Sequence, residues 1–440
     1  MKRALKVLIP MFIVTVILSG CMLTVDQMYC LPKRSDTYND LQSAIDAAMS
    51  GLSYCAPLSG ENQQIVQIAD LDGDGMSEYL LFAKSEQEDK PLKILVFQDV
   101  NGKFENTDTV ECNGTAFDQV EYVDMNGDGG MELLVGRLLS DQLIRSVSVY
   151  TFSQKELMQL NTVNYTKFLT VDLNTDGKQE LFVLHPGQTE TDNGVAELYK
   201  MDGSDIERYN EVGMSQPVDK LKRVLVGKIE GGIPAAYTAC AVGETSLVTD
   251  VFILKDDLLV NIGLSDESDT SVQTLRNFYI YADDIDDDTV VELPRLITMR
   301  PLQNMEDNGT NQLVCWYAMT EDGGEVVKMY TYHNFVGGWY IQLDNDWANR
   351  TTVIANSNAY SFYIWNKDGT DNEKIATILA LSGQNRELQA ATEGYIQLHK
   401  TDTVVYVAKL ESCAAEYGLD AQFVENRFRL IQQDWKTGET

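Results

Sequence analysis

One nine-residue acidic loop occurs three times in this chain: Asp70-Leu-Asp-Gly-Asp-Gly-Met-Ser-Glu78, Asp124-Met-Asn-Gly-Asp-Gly-Gly-Met-Glu132 and Asp172-Leu-Asn-Thr-Asp-Gly-Lys-Gln-Glu180. Each copy sets oxygen-bearing side chains at loop positions 1, 3, 5 and 9 and a Gly at position 6. That pattern wraps a hard cation in oxygen ligands, and calcium suits it. The Gly lets the chain turn sharply between ligands with φ above zero. An EF-hand takes its last ligand at position 12 and runs into a helix. Here the acid falls at position 9 and β-rich runs follow at once, Glu78 to Phe82, Glu132 to Val135 and Glu180 to Leu184. Apolar runs also precede each loop, at 65–69, 120–123 and 168–171, so the loop is expected to join two strands.

The template recurs further along. Aligned on position 1, it finds Gly227 and Asp284, giving spacings of 54, 48, 55 and 57 residues. The fifth loop keeps acids at Asp284, Asp286, Asp288 and Glu292 but has Thr289 in place of Gly, and is expected to bind a cation more weakly. The fourth, Gly227 to Ala235, has lost every side-chain ligand of the template and is expected to be an empty turn. A second strand pair follows each loop, at 92–97, 146–152, 195–199, 248–254 and 326–332, with Asn101-Gly102 and Asp202-Gly203 as hairpin turns. Four strands per unit at a fixed period predict a mainly β fold, a β-propeller of about five blades.

These repeats resemble the FG-GAP and VCBS family, the calcium-loop propeller repeats of integrin α chains and of many bacterial exported proteins. The resemblance spans residues 61–336 and is carried by the D-x-[DN]-x-D-G-x-x-E loops between strands; Phe-Gly and Gly-Ala-Pro signatures are missing from the neighbouring strands. It implies calcium ligands at Asp70, Asp72, Asp74 and Glu78, at Asp124, Asn126, Asp128 and Glu132, and at Asp172, Asn174, Asp176 and Glu180. The backbone carbonyls of Met76, Gly130 and Lys178 would each add one. Three calcium sites and a fourth, weaker one in the fifth loop are therefore expected.

The chain begins with Lys2, Arg3 and Lys6 and then the apolar stretch Val7 to Leu18, which reads as an export signal over residues 1–20 and is too short to span a membrane. It ends in Leu18-Ser-Gly-Cys21, which resembles the bacterial lipobox, so Cys21 is expected to carry lipid and to hold the protein on the extracytoplasmic face of the bacterial membrane. Residues 21–60 read as a linker with a short amphipathic helix bearing Leu41, Ile45, Ala48, Met49 and Leu52. Cys30 and Cys55 bracket that helix and leave a disulfide open, while the scattered Cys112, Cys240, Cys315 and Cys413 read as buried thiols. A net charge of −33 argues against a nucleic-acid partner.

Beyond the fifth loop the pattern changes. Strand-like runs without acidic loops, followed by Val424, Phe428, Ile431 and Trp435 at helical spacing over 421–435, predict a small α+β domain at 337–440. The alternative is one or two degenerate blades. The only histidines, His185, His333 and His399, are isolated from further metal ligands in sequence, and no nucleophile elbow, P-loop or dinucleotide fingerprint occurs. The expected function is thus a non-enzymatic, calcium-stabilised lipoprotein that binds an unidentified protein or glycan partner. The alternative is an envelope glycan hydrolase or lyase with its site in the propeller funnel, which convergent carboxylates with a basic or aromatic companion would favour.

Overall fold

The computed structural model describes residues 36–431 apart from 141–143, 188, 190–193, 266 and 303–311. The export signal, Cys21, Cys30 and Trp435 lie outside the described residues. From Ser53 onward the chain is almost entirely antiparallel β. The first sheet holds β1 (Ser53–Tyr54), β2 (Val66–Ala69), β3 (Glu78–Lys84), β4 (Leu92–Asp99) and β5 (Phe104–Cys112). The second is β6 (Ala116–Val123), β7 (Glu132–Leu138), β8 (Arg145–Ser153) and β9 (Glu156–Tyr165). The third is β10 (Lys167–Val171), β11 (Glu180–His185), β12 (Val195–Asp202) and β13 (Asp205–Gly213). The fourth is β14 (Lys220–Lys228), β15 (Pro234–Val242), β16 (Ser246–Lys255) and β17 (Leu258–Asn261).

Apart from β1, which pairs with β3 beside β2, neighbouring strands within each of these sheets are neighbours in sequence, and each sheet packs face to face on the next. Side chains alternate between faces along a strand, so a middle strand that is apolar throughout feeds two cores. Leu133 and Val135 on β7 join Phe82, Ile94 and Val96 of the first sheet, while Leu134 between them joins Leu181 and Val183 of the third. Phe182 and Leu184 then meet Ala236 and Phe252, and Tyr237 and Val251 meet Leu293 and Tyr317. This serial stacking of meandering sheets is a β-propeller. The helix Asp36–Ala48 lays Leu41 and Ile45 on Leu81, Leu95 and Phe97 of the first sheet, using the stripe expected of it.

The fifth sheet departs from the regular unit. Ahead of its loop there is an isolated bridge, Asp283 with Glu292, in place of an inner strand, so β18 (Leu293–Thr298) is the sheet edge. Then follow β19 (Gln312–Met319), β20 (Glu325–Asn334) and β21 (Trp339–Leu343). The expected domain boundary at 336/337 is corrected here: β20 and β21 pair from Tyr330↔Leu343 to Asn334↔Trp339, so the chain on both sides of it belongs to one blade. The sixth sheet holds β22 (Thr351–Asn356), β23 (Ala359–Trp365), β24 (Asn372–Ser382), β25 (Tyr395–Lys400) and β26 (Val404–Leu410), with β26 inserted between β24 and β25. With the short helices Arg386–Ala390 and Ala421–Arg427 it forms the C-terminal α+β unit, packed on the fifth sheet through Trp339, Ile341, Val353, Phe362 and Phe428.

The expected helix over 421–435 also stops early. It ends at Arg427, and Phe428–Leu430 becomes β27, paired with the open edge of β21. Helical spacing of Val424 and Phe428 fitted the core, but strand pairing also satisfies backbone groups of the β21 edge that a further helical turn would leave unpaired. Among the described residues no helix is long and apolar enough to cross a membrane.

Candidate metal loops and axial cavities

The inner strands β2, β6 and β10 all run toward one rim and there enter the acidic loops, as expected. Four loops share one hydrogen-bond lattice. The position-1 Asp Oδ2 accepts from the backbone N–H at position 6: Gly75 on Asp70 (2.9 Å), Gly129 on Asp124 (3.0 Å), Gly177 on Asp172 (3.0 Å) and Thr289 on Asp284 (2.8 Å). The position-9 Glu reaches back to the N–H at position 2, with Glu78, Glu132, Glu180 and Glu292 accepting from Leu71, Met125, Leu173 and Ile285 at 2.8–3.1 Å. The position-5 Asp accepts from position 7, with Asp74, Asp128, Asp176 and Asp288 taking the N–H of Met76, Gly130, Lys178 and Val290. The backbone repeats as well. Position 4 is left-handed in Gly73, Gly127, Thr175 and Asp287, and position 6 in Gly75, Gly129, Gly177 and Thr289. The fifth loop thus holds a β-branched residue at φ +74° in the place glycine takes elsewhere, at a cost of about 1–2 kcal/mol.

Three loops gather carboxylates. Asp70, Asp72 and Glu78, then Asp172, Asp176 and Glu180, then Asp284, Asp286 and Glu292 each bring three ligand oxygens within 4.8 Å of one another. In each group one buried oxygen has no hydrogen-bond partner: Asp70 Oδ1, Asp172 Oδ1 and Glu292 Oε1. Buried carboxylate oxygens are normally satisfied, so an oxygen left bare inside a ring of acids is what a cation site requires, and the residues fit a metal ion. The second loop differs. Both oxygens of Asp124 accept from backbone, Gly127 N at 2.6 Å and Gly129 N at 3.0 Å, and Asn126 turns its amide nitrogen toward Glu132 Oε1 at 3.4 Å. It is not among the groups of three carboxylates.

The glutamates feel the burial. Glu78, Glu132 and Glu180 are pushed above the ordinary carboxylate range, chiefly by loss of water and then by neighbouring aspartates, and Glu292, fully buried, is pushed up to about 8 by the same causes. A bound cation would favour the ionised carboxylates and so oppose that shift. At the fifth loop an internal cation stands nearby: Lys328 Nζ lies 2.6 Å from Glu230 and 3.6 Å from Asp288. The fourth loop has no acid cluster but is not idle, because Glu230 is that lysine's partner and its N–H donates to Met319 O at 2.9 Å.

Two cavities lie along the inner strands. The one nearer the loops, about 380 Å³, is lined by Glu61, Asn62, Gln119, Glu121, Tyr122 and Thr170 among others. Glu121 accepts from Thr170 Oγ1 at 2.8 Å and from Gln119 Nε2, and desolvation raises its pKa. Lys167 Nζ donates to Gln119 Oε1 at 2.8 Å. The other cavity, about 480 Å³, sits at the starts of β10 and β14 and is lined by Arg145, Lys167, Lys220, Lys222 and Arg223 with the single acid Asp219. Sequence reasoning missed both. Their residues are spread over four blades, and only the shared direction of the inner strands brings them together.

No known protein family profile matches this sequence, and no curated protein matches it. Solved structures do. A rhamnogalacturonan lyase, YesW, is 10% identical with a TM-score of 0.28, covering 73% of this chain and 67% of its own. The Bacillus licheniformis rhamnogalacturonan lyase is 12% identical with a TM-score of 0.29, over 73% and 72%. A putative 6-phosphogluconolactonase from Bacteroides uniformis is 12% identical with a TM-score of 0.30, over 73% and 94%. At these values the similarities carry no argument about chemistry.

Proposed function

We propose that this protein is a calcium-stabilised β-propeller of the bacterial cell envelope, held at the membrane by lipid on Cys21 and acting as a non-enzymatic binding module. The observation that carries the metal part is the unpartnered buried oxygen in each of the three carboxylate groups. Calcium fits better than magnesium because the loops offer several carboxylates on a flexible turn, whereas magnesium keeps its waters and demands near-ideal octahedral geometry. When bound, the ion supplies positive charge that cancels repulsion among the loop acids. The chain's own residues fix the loop backbone and leave one carboxylate oxygen of each group free. Elemental analysis of dialysed protein tests this: about three calcium ions per chain are expected, and a count of none or one would sink the reading. The anchor is tested by Cys21→Ser, which should release the protein from washed membranes and abolish fatty-acid labelling.

A second reading, a glycan-active hydrolase or lyase, is favoured by one feature, the desolvated Glu121 facing a cavity it shares with Glu61 and Tyr122. Burial favours the protonated form of a carboxyl, which is the form a general acid needs. Turnover of envelope polysaccharide that disappears in Glu121→Gln would decide for it.

A further inference from the structure

We propose that the basic cavity at the starts of β10 and β14 binds an anionic saccharide, with Lys220 and Lys222 as its charge-recognising residues; this rests on the binding-module reading and gives that module its site. The charge is the first observation. The chain has 34 basic against 67 acidic residues, so a cavity taken at random should be acidic. This one gathers five basic side chains and one acid, and that acid, Asp219, already accepts from Gly243 N at 2.5 Å. Arg145 and Arg223 approach carboxylates, Asp118 at 3.5 Å and Asp283 at 4.0 Å. Among the described residues no carboxylate lies within 4.0 Å of Lys220 or Lys222 in any ion pair, which leaves both ammonium groups for an outside anion. Clustered like charges repel by about a kcal/mol per close pair even in water, and one lining acid against five basic side chains offsets only part of that.

The backbone supports the same use. Pairing of β14 with β15 slips between Leu221 and Arg223, so Lys222 is an extra residue in a β-bulge. In a regular strand successive residues face opposite ways, whereas a bulge re-aims a side chain. Here Lys220, Lys222 and Arg223 all line one cavity. The ligand class follows from size and wall. A volume of about 480 Å³ lies in the range of small-molecule sites and is far more than a bare inorganic anion fills. Pro186, Leu221 and Val224 give it an apolar side, and Lys222 Nζ lies 5.9 Å from the Tyr279 ring. Cationic groups beside apolar wall match a sugar ring that carries a carboxylate or phosphate. The overall charge of −33 disfavours a nucleic acid as the source of that anion.

Titration calorimetry on the calcium-loaded full chain tests the proposal with a uronate disaccharide, a sugar phosphate, the uronate methyl ester and inorganic phosphate. The uronate or the sugar phosphate should bind, which also separates the two anion sources, and the ester should bind at least about tenfold more weakly. Affinity should fall with added salt. Lys220→Gln combined with Lys222→Gln should weaken binding at least about tenfold at an unchanged melting temperature. Equal binding of acid and ester overturns the proposal, as does salt-independent affinity in the wild-type chain, which needs no variant to fold. Phosphate alone binding as tightly as either sugar overturns the saccharide assignment. No heat with any probe overturns the whole proposal. Sugar binding that persists while chelator leaves the melting temperature unchanged would count against the metal loops and leave this site standing.

Discussion

The backbone N–H of Met131, at the end of the second acidic loop, donates to the carbonyl of Leu71 in the first at 3.0 Å. The same hook recurs from Gln179 N to Asp124 O at 3.2 Å and from Val291 N to Lys228 O at 2.8 Å. The loops are therefore a chain of contacts along one rim as well as separate turns. What orders one loop also fixes an acceptor for its neighbour.

Chelator should lower the melting temperature by several degrees, since each site at about ten-fold saturation contributes roughly 1.4 kcal/mol. Individual loops should respond differently. Asp70→Ala and Asp172→Ala remove an oxygen that has no partner in the fold, so their cost should be larger with calcium than with chelator. Asp124→Ala removes two backbone hydrogen bonds, so it should cost about the same in both. Calorimetry of the three variants with and without chelator checks this, and identical calcium dependence in all three would contradict it.

Gly73→Ala should destabilise more than Gly75→Ala, although both residues are left-handed. A Cβ at Gly75 meets nothing within 4 Å, whereas one at Gly73 would lie 2.9 Å from the carbonyl oxygen of Gly129 in the next loop. Urea unfolding should show about 1–2 kcal/mol for the first case and about 2–4 kcal/mol for Gly73→Ala. Equal costs would mean that the contact between loops relaxes freely.

Lys328→Met should tighten the fifth loop for a divalent cation while making the metal-free protein less stable. The ammonium group stands beside Asp288 and Glu230 and competes for the same field that draws the metal. Competition titration with a calcium indicator, read together with the melting temperature in chelator, measures both effects. A lysine variant with weaker calcium binding would show that Lys328 organises the loop instead of competing for it.

His333 should make the fold sensitive to mild acid. It is buried, accepts or donates through Nε2 to Thr331 Oγ1 at 2.8 Å, stacks on Tyr340 at 5.0 Å, and burial holds its pKa down at about 3. The unfolded chain takes up a proton near pH 6.5 and the folded one does not, so stability is fully present above 6.5 and is lost as pH falls toward 3. His333→Gln should remove up to about 1.4 kcal/mol per pH unit of that slope. Denaturant unfolding at a series of pH values, comparing wild type with the variant, provides the check.

Phe428→Ala should cost about 3–5 kcal/mol and should loosen β21 before the regular blades. Phe428 is buried, stacks on Trp339 at 5.4 Å and sits in the strand that closes the β21 edge. Hydrogen exchange resolved by strand reads this: faster exchange confined to β21 and the sixth sheet is expected, and uniform acceleration would contradict it.

Much of the first three blades was legible because their signals are local. Asp70, Asp124 and Asp172 each begin a loop whose acidic residues, glycines and flanking strands lie within some twenty residues, and the same local chemistry recurs at a fixed period. The N-terminal helix was legible for the same reason, since Leu41 and Ile45 state their buried face by spacing. The fifth blade was read less well. Its fourth position is filled by Trp339–Leu343 across the expected domain boundary, and β27 arrives from Phe428, far away in sequence.

The sequence by itself determined where the chain turns, which side chains line each turn and that strands follow one another in antiparallel units, because backbone conformation and ligand spacing are short-range properties. Only the tertiary structure decided which oxygens remain bare. Asp70 and Asp172 keep a free oxygen while Asp124, at the same position of the same loop template, spends both on backbone N–H groups. It also decided that Arg145, Lys167, Lys220 and Lys222 share one cavity. Those residues come from three blades, and their meeting depends on how whole sheets stack around an axis, a relation that no local pattern of residues encodes.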